Sequence, residues 1–245
     1  MALGTLTTLP VRAPDRIDST VAAGAMVLAP LATVPFAVLT AALAFAGGRA
    51  GLPPLAVAVL AIGLFALGNR GLHLDGLADT ADGLAASYDR ERALWVMRTG
   101  DCGPAGVATL LFVLLLQCAA LAGSLAPGHG VTVAVGVLAG RAVLPLCCVR
   151  GVPAARQDGL GTTVAGVAHP AGVVVSVVLT AIACGGALLL TELPWWRGPA
   201  AVFAGGVAAM LLLWRCVHRF GGVTGDVLGG CVETATGAAL LTLAL

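Results

Sequence analysis

Three aspartates raise the first chemical question in this chain. Asp75, Asp79 and Asp82 follow one another at i, i+4 and i+7 within GNRGLHLDGLADTADGL. That spacing puts all three on one face of a helix. Carboxylates so close repel one another, and without a cation some must hold a proton. A hard divalent ion relieves the repulsion, and Mg²⁺ suits a site built from a few carboxylates completed by phosphate oxygens. Gly76 and Gly83 weaken the helix and are expected to leave room for a bulky phosphate ligand. The competing reading is a solvated acidic helix face. The leucines at 72, 74, 77 and 84 oppose it, because they make the segment partly buried.

A second constellation lies in RFGGVTGDVLGGCVETATG. Thr224 and Gly225 offer phosphate contacts, and Asp226 is a fourth candidate metal ligand. Glu233, seven residues on, lies on the same face about two turns deeper. The alternative makes Asp226 a helix cap and Glu233 a side chain reaching towards the membrane surface. A third set is basic. Arg156 in PAARQDGLGTTV suits phosphate contact, and Arg141 stands inside an apolar run, where a charge normally has a partner. Substrate phosphate and one of the acids are equally good partners for it. His73 could act as base or ligand, or simply hydrogen-bond a carboxylate at a helix start. Asp82 and Glu233 are the candidates for accepting a proton. The chain has no GxSxG, Walker loop or HExxH motif to support acyl transfer or ATP hydrolysis.

The elements that position these groups must lie in lipid. Hydrophobic residues make up 59% of the chain and charged ones 10%, with a mean hydropathy of +1.00. Soluble domains carry about 25% charged residues. A net charge of +1 with no basic stripe excludes a nucleic-acid-binding protein. The seven cysteines form no CxxC pair and read as small apolar helix residues. The first twenty residues lack the basic start and immediate apolar core of a secretory signal, so no cleavage is expected.

Stretches long and apolar enough to cross a bilayer cover residues 21–46, 52–68, 105–126, 131–149, 172–190, 199–217 and 227–245. The expected fold is therefore an all-α polytopic membrane protein of about seven transmembrane helices, a single integral membrane domain over 1–245. Orientation follows from arginine, the only basic residue besides histidine. With a cytoplasmic N-terminus, Arg12, Arg16, Arg70, Arg90, Arg92, Arg98, Arg150, Arg156 and Arg219 fall inside; Arg49 and Arg197 fall outside. The same orientation puts the polar segments 69–103, 151–170 and 218–230 together on the cytoplasmic side.

HLDGLADTADGL, then DRERALWVMRTGDCGPAGV, ARQDGLG and GGVTGDVLGGCVE, preceded by TLTTLPV near the N-terminus, resemble the cobalamin (5′-phosphate) synthases, also called adenosylcobinamide-GDP ribazoletransferases. The resemblance runs in order over nearly the whole chain. It implies an enzyme of the plasma (inner) membrane in which a hydroxyl of α-ribazole, or of its 5′-phosphate, attacks the cobinamide-side phosphorus of adenosylcobinamide-GDP. GMP leaves, Mg²⁺ is required, and the lipid bilayer is the surrounding partner; an oligomer is compatible with it. Asp75, Asp79, Asp82 and Asp226 would then be metal ligands, and Arg141, Arg156, Thr224 and Gly225 would hold substrate. The chain departs from the family at Thr99-Gly100-Asp101, where an Asp-Ser-Arg-like string is common, and at Gln117, where a basic residue is common. A CDP-alcohol phosphatidyltransferase shares the clustered acids, but Asp75-Gly76-Leu77-Ala78-Asp79 matches its D-G-x-x-A-R pattern only in part. A cation-coupled transporter would need the acids at mid-membrane in paired broken helices.

Overall fold

The structure, a computed structural model, describes residues 1–245 except 13, 87 and 126–129; the last residue of the expected span 105–126, and the loop residue His129, lie outside the described residues. Among the described residues the chain is helical throughout, with two isolated β-bridges and no strand. The helices are α1 (Ala2–Leu6), α2 (Ser19–Val27), α3 (Ala29–Arg49), α4 (Pro54–Gly68), α5 (Leu72–Ala85), α6 (Arg90–Val96), α7 (Pro104–Ser124), α8 (Val131–Arg141), α9 (Val143–Cys147), α10 (Gly159–Val164), α11 (Pro170–Leu188), α12 (Arg197–Phe220) and α13 (Gly225–Ala244).

Five of these, α3, α7, α11, α12 and α13, are long and apolar enough to cross a membrane. The chain is a multi-pass membrane protein. Two other expected spans are shorter or broken: α4 has 15 residues, and α8 with α9 forms an apolar stretch over Val131–Cys147. Proline sets several starts, with Pro54, Pro104 and Pro170 in the first turns of α4, α7 and α11, where a missing N–H costs nothing. Thr224 caps α13 by accepting from the Val227 amide at 3.2 Å.

The bundle is built around α13. Of its apolar window 72% is buried, against 22% for α7, because α5, α7, α8 and α12 all pack against it. Without a hydrophobic drive between helices in lipid, such packing needs close backbone approach. One such close approach bears directly on the acids. A Cβ at Gly76 of α5 would lie 2.6 Å from the Asp226 carbonyl oxygen, and one at Gly229 would lie 3.1 Å from the His73 backbone. The space expected for a ligand at Gly76 is therefore filled by the backbone of α13. At Gly83 it is filled by Met97 and Phe220. Both glycines serve helix packing and not substrate access.

Between α4 and α5 the chain turns by 90°. Arg70 adopts φ 60° and Gly71 φ 70° to make the turn, a conformation that is costly for a residue with a Cβ. The Arg70 guanidinium meanwhile donates to the Gly4 carbonyl at 2.9 Å, tying α1 to the bend. α5, which carries the aspartates, is not among the five helices long and apolar enough to cross a membrane.

Candidate active site

The three polar segments meet at one end of the bundle. Ala154 bridges to Val223. The Arg90 guanidinium donates to the carbonyls of Phe220 and Ala155 at 2.6 and 2.9 Å, and Arg98 pairs with Asp158. Beneath these contacts is a cavity of about 230 Å³. Its polar wall carries Asp75, Arg156, Asp158, Thr224, Gly225 and Asp226. Its apolar flank carries Leu6, Met26, Leu144, Leu160 and Leu228.

Arg156 Nη1 lies 3.6 Å from Asp226 Oδ2, and the Thr224 hydroxyl donates to the same carboxylate oxygen at 3.1 Å. Asp79, one turn beyond Asp75 on α5, is half-buried beside this wall. Its carboxyl is pushed from an ordinary 3.8 up to about 7, first by burial and then by the charges of Asp75, Asp226 and Asp82, with Arg156 acting the other way. A folded-state value above the ordinary one means that stability is lost as pH rises between those two values. Like charges gathered on one wall repel one another, and a cation would relieve them. Among the described residues no three His, Cys, Asp or Glu side chains form a ready-made metal cage. That donor chemistry fits Mg²⁺, which takes a few carboxylates and fills its remaining positions from water and phosphate.

Asp82 is placed differently from expectation. Its two carboxylate oxygens accept from the Gly103 and Gly106 amides at 2.7 and 2.8 Å. It is 7% exposed and anchors the start of α7, where a negative charge also suits the helix dipole. A Cβ at either partner would come within 2.5 Å of the carboxylate, so a larger residue there would push the Asp82 side chain off these amides.

Deeper in the bundle lies a separate polar knot. Arg141, 1% exposed, pairs with Glu233 at 3.6 Å, donates to the Thr236 hydroxyl at 3.1 Å and sits 4.0 Å from the centre of the Phe65 ring. Gln117 donates to the Glu233 carboxylate at 3.0 Å and to its backbone carbonyl at 3.1 Å. Of the two partners open to Arg141, the structure chooses an acid. Neither Arg141, expected at the substrate, nor Glu233, expected at the reacting groups, lines the acidic cavity. His73 connects the two regions. Its Nδ1 lies 3.0 Å from Arg141 Nη2, and a guanidinium can only donate. Nδ1 therefore accepts, the ring is neutral, and its proton sits on Nε2. The lone pair a base would use is already engaged.

The comparisons with known proteins bear on what this arrangement does. The cobalamin-5-phosphate synthase family model matches residues 1–244. The chain belongs to the cobalamin-5-phosphate synthase family. Similar relatives carry the name adenosylcobinamide-GDP ribazoletransferase. One from Nocardioides sp. (strain ATCC BAA-499 / JS614) is 48% identical, covering 99% of this chain and 96% of the relative. Another, from Frankia casuarinae, is 37% identical over 98% and 91%, and a third, from Pseudomonas savastanoi pv. phaseolicola, is 36% identical over 100% and 98%. No solved structure matches.

In this synthase-family chain the cavity thus unites Asp75, Asp226, Arg156, Thr224 and Gly225 from the expected site, with Asp79 alongside. Sequence reasoning missed the lining residues Thr5, Leu6, Met26, Leu144 and Asp158. Thr5 and Leu6 open the TLTTLPV string, so a signal was present without an assigned role. Met26 and Leu144 sit within apolar runs and carry none. At the two family departures, Asp101 is exposed and Gln117 is the buried donor to Glu233. Where Arg141 already balances Glu233, a neutral amide keeps the knot free of excess charge.

Proposed function

We propose that this chain joins α-ribazole, or its 5′-phosphate, to adenosylcobinamide-GDP in the final assembly of cobalamin. The reading rests on one observation: three distant polar segments close one acid- and arginine-lined cavity, in a chain of this family. Mg²⁺ would be drawn to the acidic wall of Asp75, Asp79 and Asp226, without all three closing on it, and when bound would supply charge neutralisation at the diphosphate. The chain's own groups do the rest. Arg156 and the Thr224 hydroxyl orient phosphate oxygens at the start of α13. The apolar flank from Leu6 to Leu228 suits the planar base of the acceptor and keeps bulk water from competing with its hydroxyl. The attacking oxygen forms its bond to the cobinamide-side phosphorus as the bond to GMP breaks. The hydroxyl proton is taken up in the carboxylate cluster. Displacement of this kind needs positioning and electrostatics more than a covalent intermediate.

Purified protein given adenosylcobinamide-GDP, α-ribazole and Mg²⁺ should release GMP. Mn²⁺ should substitute, Ca²⁺ should do so poorly because it prefers more ligands at longer distance, and excess chelator should stop the reaction. A phosphatidyltransferase or a transporter would release no GMP under any of these conditions, and full turnover in chelator would remove the cation from the reading.

We also place this end of the bundle in the cytoplasm, on the arginine asymmetry. The native Cys102 thiol is exposed and lies on that side; Glu192, in the loop before α12, lies on the other. An impermeant maleimide applied to intact cells should therefore leave the wild-type protein unlabelled and should label Glu192→Cys. Labelling of Cys102 from outside would invert the topology.

A further inference from the structure

We propose that the open groove between α6 and the segment before α10 is a guanosine subsite, which receives the nucleoside of the nucleotide-activated substrate and then of released GMP. This deepens the ribazoletransferase reading and rests on it. The groove measures about 660 Å³, within the range of small-molecule sites. Glu91, Trp95, Arg98, Arg156 and Gln157 line it.

Arg156 belongs to both spaces. On the cavity side its Nη1 faces Asp226 at 3.6 Å; on the groove side its Nη2 donates to the Leu94 carbonyl of α6 at 2.9 Å. One guanidinium is the shared wall between the acid-lined cavity and the groove. Phosphoryl displacement requires attacking and leaving oxygens roughly in line, on opposite sides of phosphorus. With the acceptor in the enclosed cavity and the diphosphate at Arg156, the leaving nucleotide points into the groove. The groove opens to solvent, so the product can depart without disturbing the helices.

The lining suits a purine nucleoside. Trp95 remains 52% exposed with the Arg92 guanidinium stacked 4.3 Å from its centroid, so its ring already serves as a stacking platform. Bases stack on such rings whatever their edge pattern. Selection of guanine falls to Glu91, one helical turn before Trp95 and on the same face of α6. Among the described residues it makes no hydrogen bond or ion pair. A carboxylate there accepts from the N1–H and the 2-amino group that guanine presents together and adenine lacks. Arg98, paired with Asp158 at the cavity rim, is placed towards the nucleotide phosphate.

The test uses the purified full-length protein, with dissociation constants for GMP and AMP measured by equilibrium dialysis beside the kinetics of GMP release. Trp95→Ala should weaken GMP binding and raise KM for adenosylcobinamide-GDP, each by about tenfold, with KM for α-ribazole unchanged. Trp95→Phe should restore most of both. Glu91→Gln should shrink the preference for GMP over AMP while leaving AMP binding unchanged. If the wild type turns over and binds GMP but neither parameter moves in Trp95→Ala, the subsite is wrong and the reaction stands. If the wild type binds GMP through Trp95 yet forms no product with Mg²⁺ and α-ribazole, the groove is a guanine-nucleotide site and the ribazoletransferase reading falls. Absence of GMP binding to the wild type overturns the subsite.

Discussion

Asp75→Asn, Asp79→Asn and Asp226→Asn should each lower GMP release by roughly a hundredfold or more, about 2.7 kcal/mol of lost transition-state stabilisation. Each change keeps shape and hydrogen-bonding capacity but removes one charge from the wall that faces the diphosphate. The Mg²⁺ concentration needed for half-maximal rate should rise in all three. The folded protein should not suffer. Burial first, then the charges of Asp75, Asp226 and Asp82, push the Asp79 carboxyl up to about 7. Asp79→Asn therefore changes little below that pH in the cation-free protein, and Asp75→Asn relieves repulsion. Asp226→Asn gives up a charge paired with Arg156 but keeps an acceptor for it. Asp82→Asn should behave differently. An amide offers one acceptor where two backbone N–H groups now bind a carboxylate, so the start of α7 loosens, thermal stability drops and the Mg²⁺ requirement stays put. Asp15→Asn, on a side chain 91% exposed, is the silent control. Near-normal rates in well-folded Asp75→Asn and Asp79→Asn would remove the acids from the reaction.

The second large effect concerns the buried knot. Arg141→Met leaves the Glu233 carboxylate unpaired inside the bundle, and Glu233→Gln leaves the guanidinium unpaired. Breaking a buried pair from one side costs about 3–5 kcal/mol, a large share of the total stability of a typical domain. Either single variant should be recovered in low yield and melt early in detergent. The double variant Arg141→Met/Glu233→Gln should regain most of the loss, because both charges are gone and Gln117 still finds a carbonyl acceptor at position 233. Its GMP release per folded molecule should stay within about tenfold of wild type, since the knot does not line the cavity. A stable but inactive double variant would return Glu233 to the reacting groups.

What could be read from the residues is what depends on neighbours along the chain. Apolar runs long enough for lipid follow from composition, and helices fall on each of them, although the run 21–46 is divided between α2 and α3 and the run 131–149 between α8 and α9. The bundle is all-helical because backbone groups in hydrocarbon must bond within their own segment. The i, i+4, i+7 spacing of Asp75, Asp79 and Asp82 is likewise a local property, and together with the order of the four family strings it pointed to the acidic face and to the family. The fate of each carboxylate was not local. Asp82 turns to amides 21 and 24 residues away, and His73 meets an arginine 68 residues away. Gly76 proved to be a packing contact because α13 happens to cross there. Nothing in the local pattern separates a carboxylate that caps a distant helix from one that faces a diphosphate: both are aspartates on one stripe. The tertiary structure separated them by deciding which side of that stripe met backbone amides, which met an arginine and a cavity, and which buried charge already had its partner.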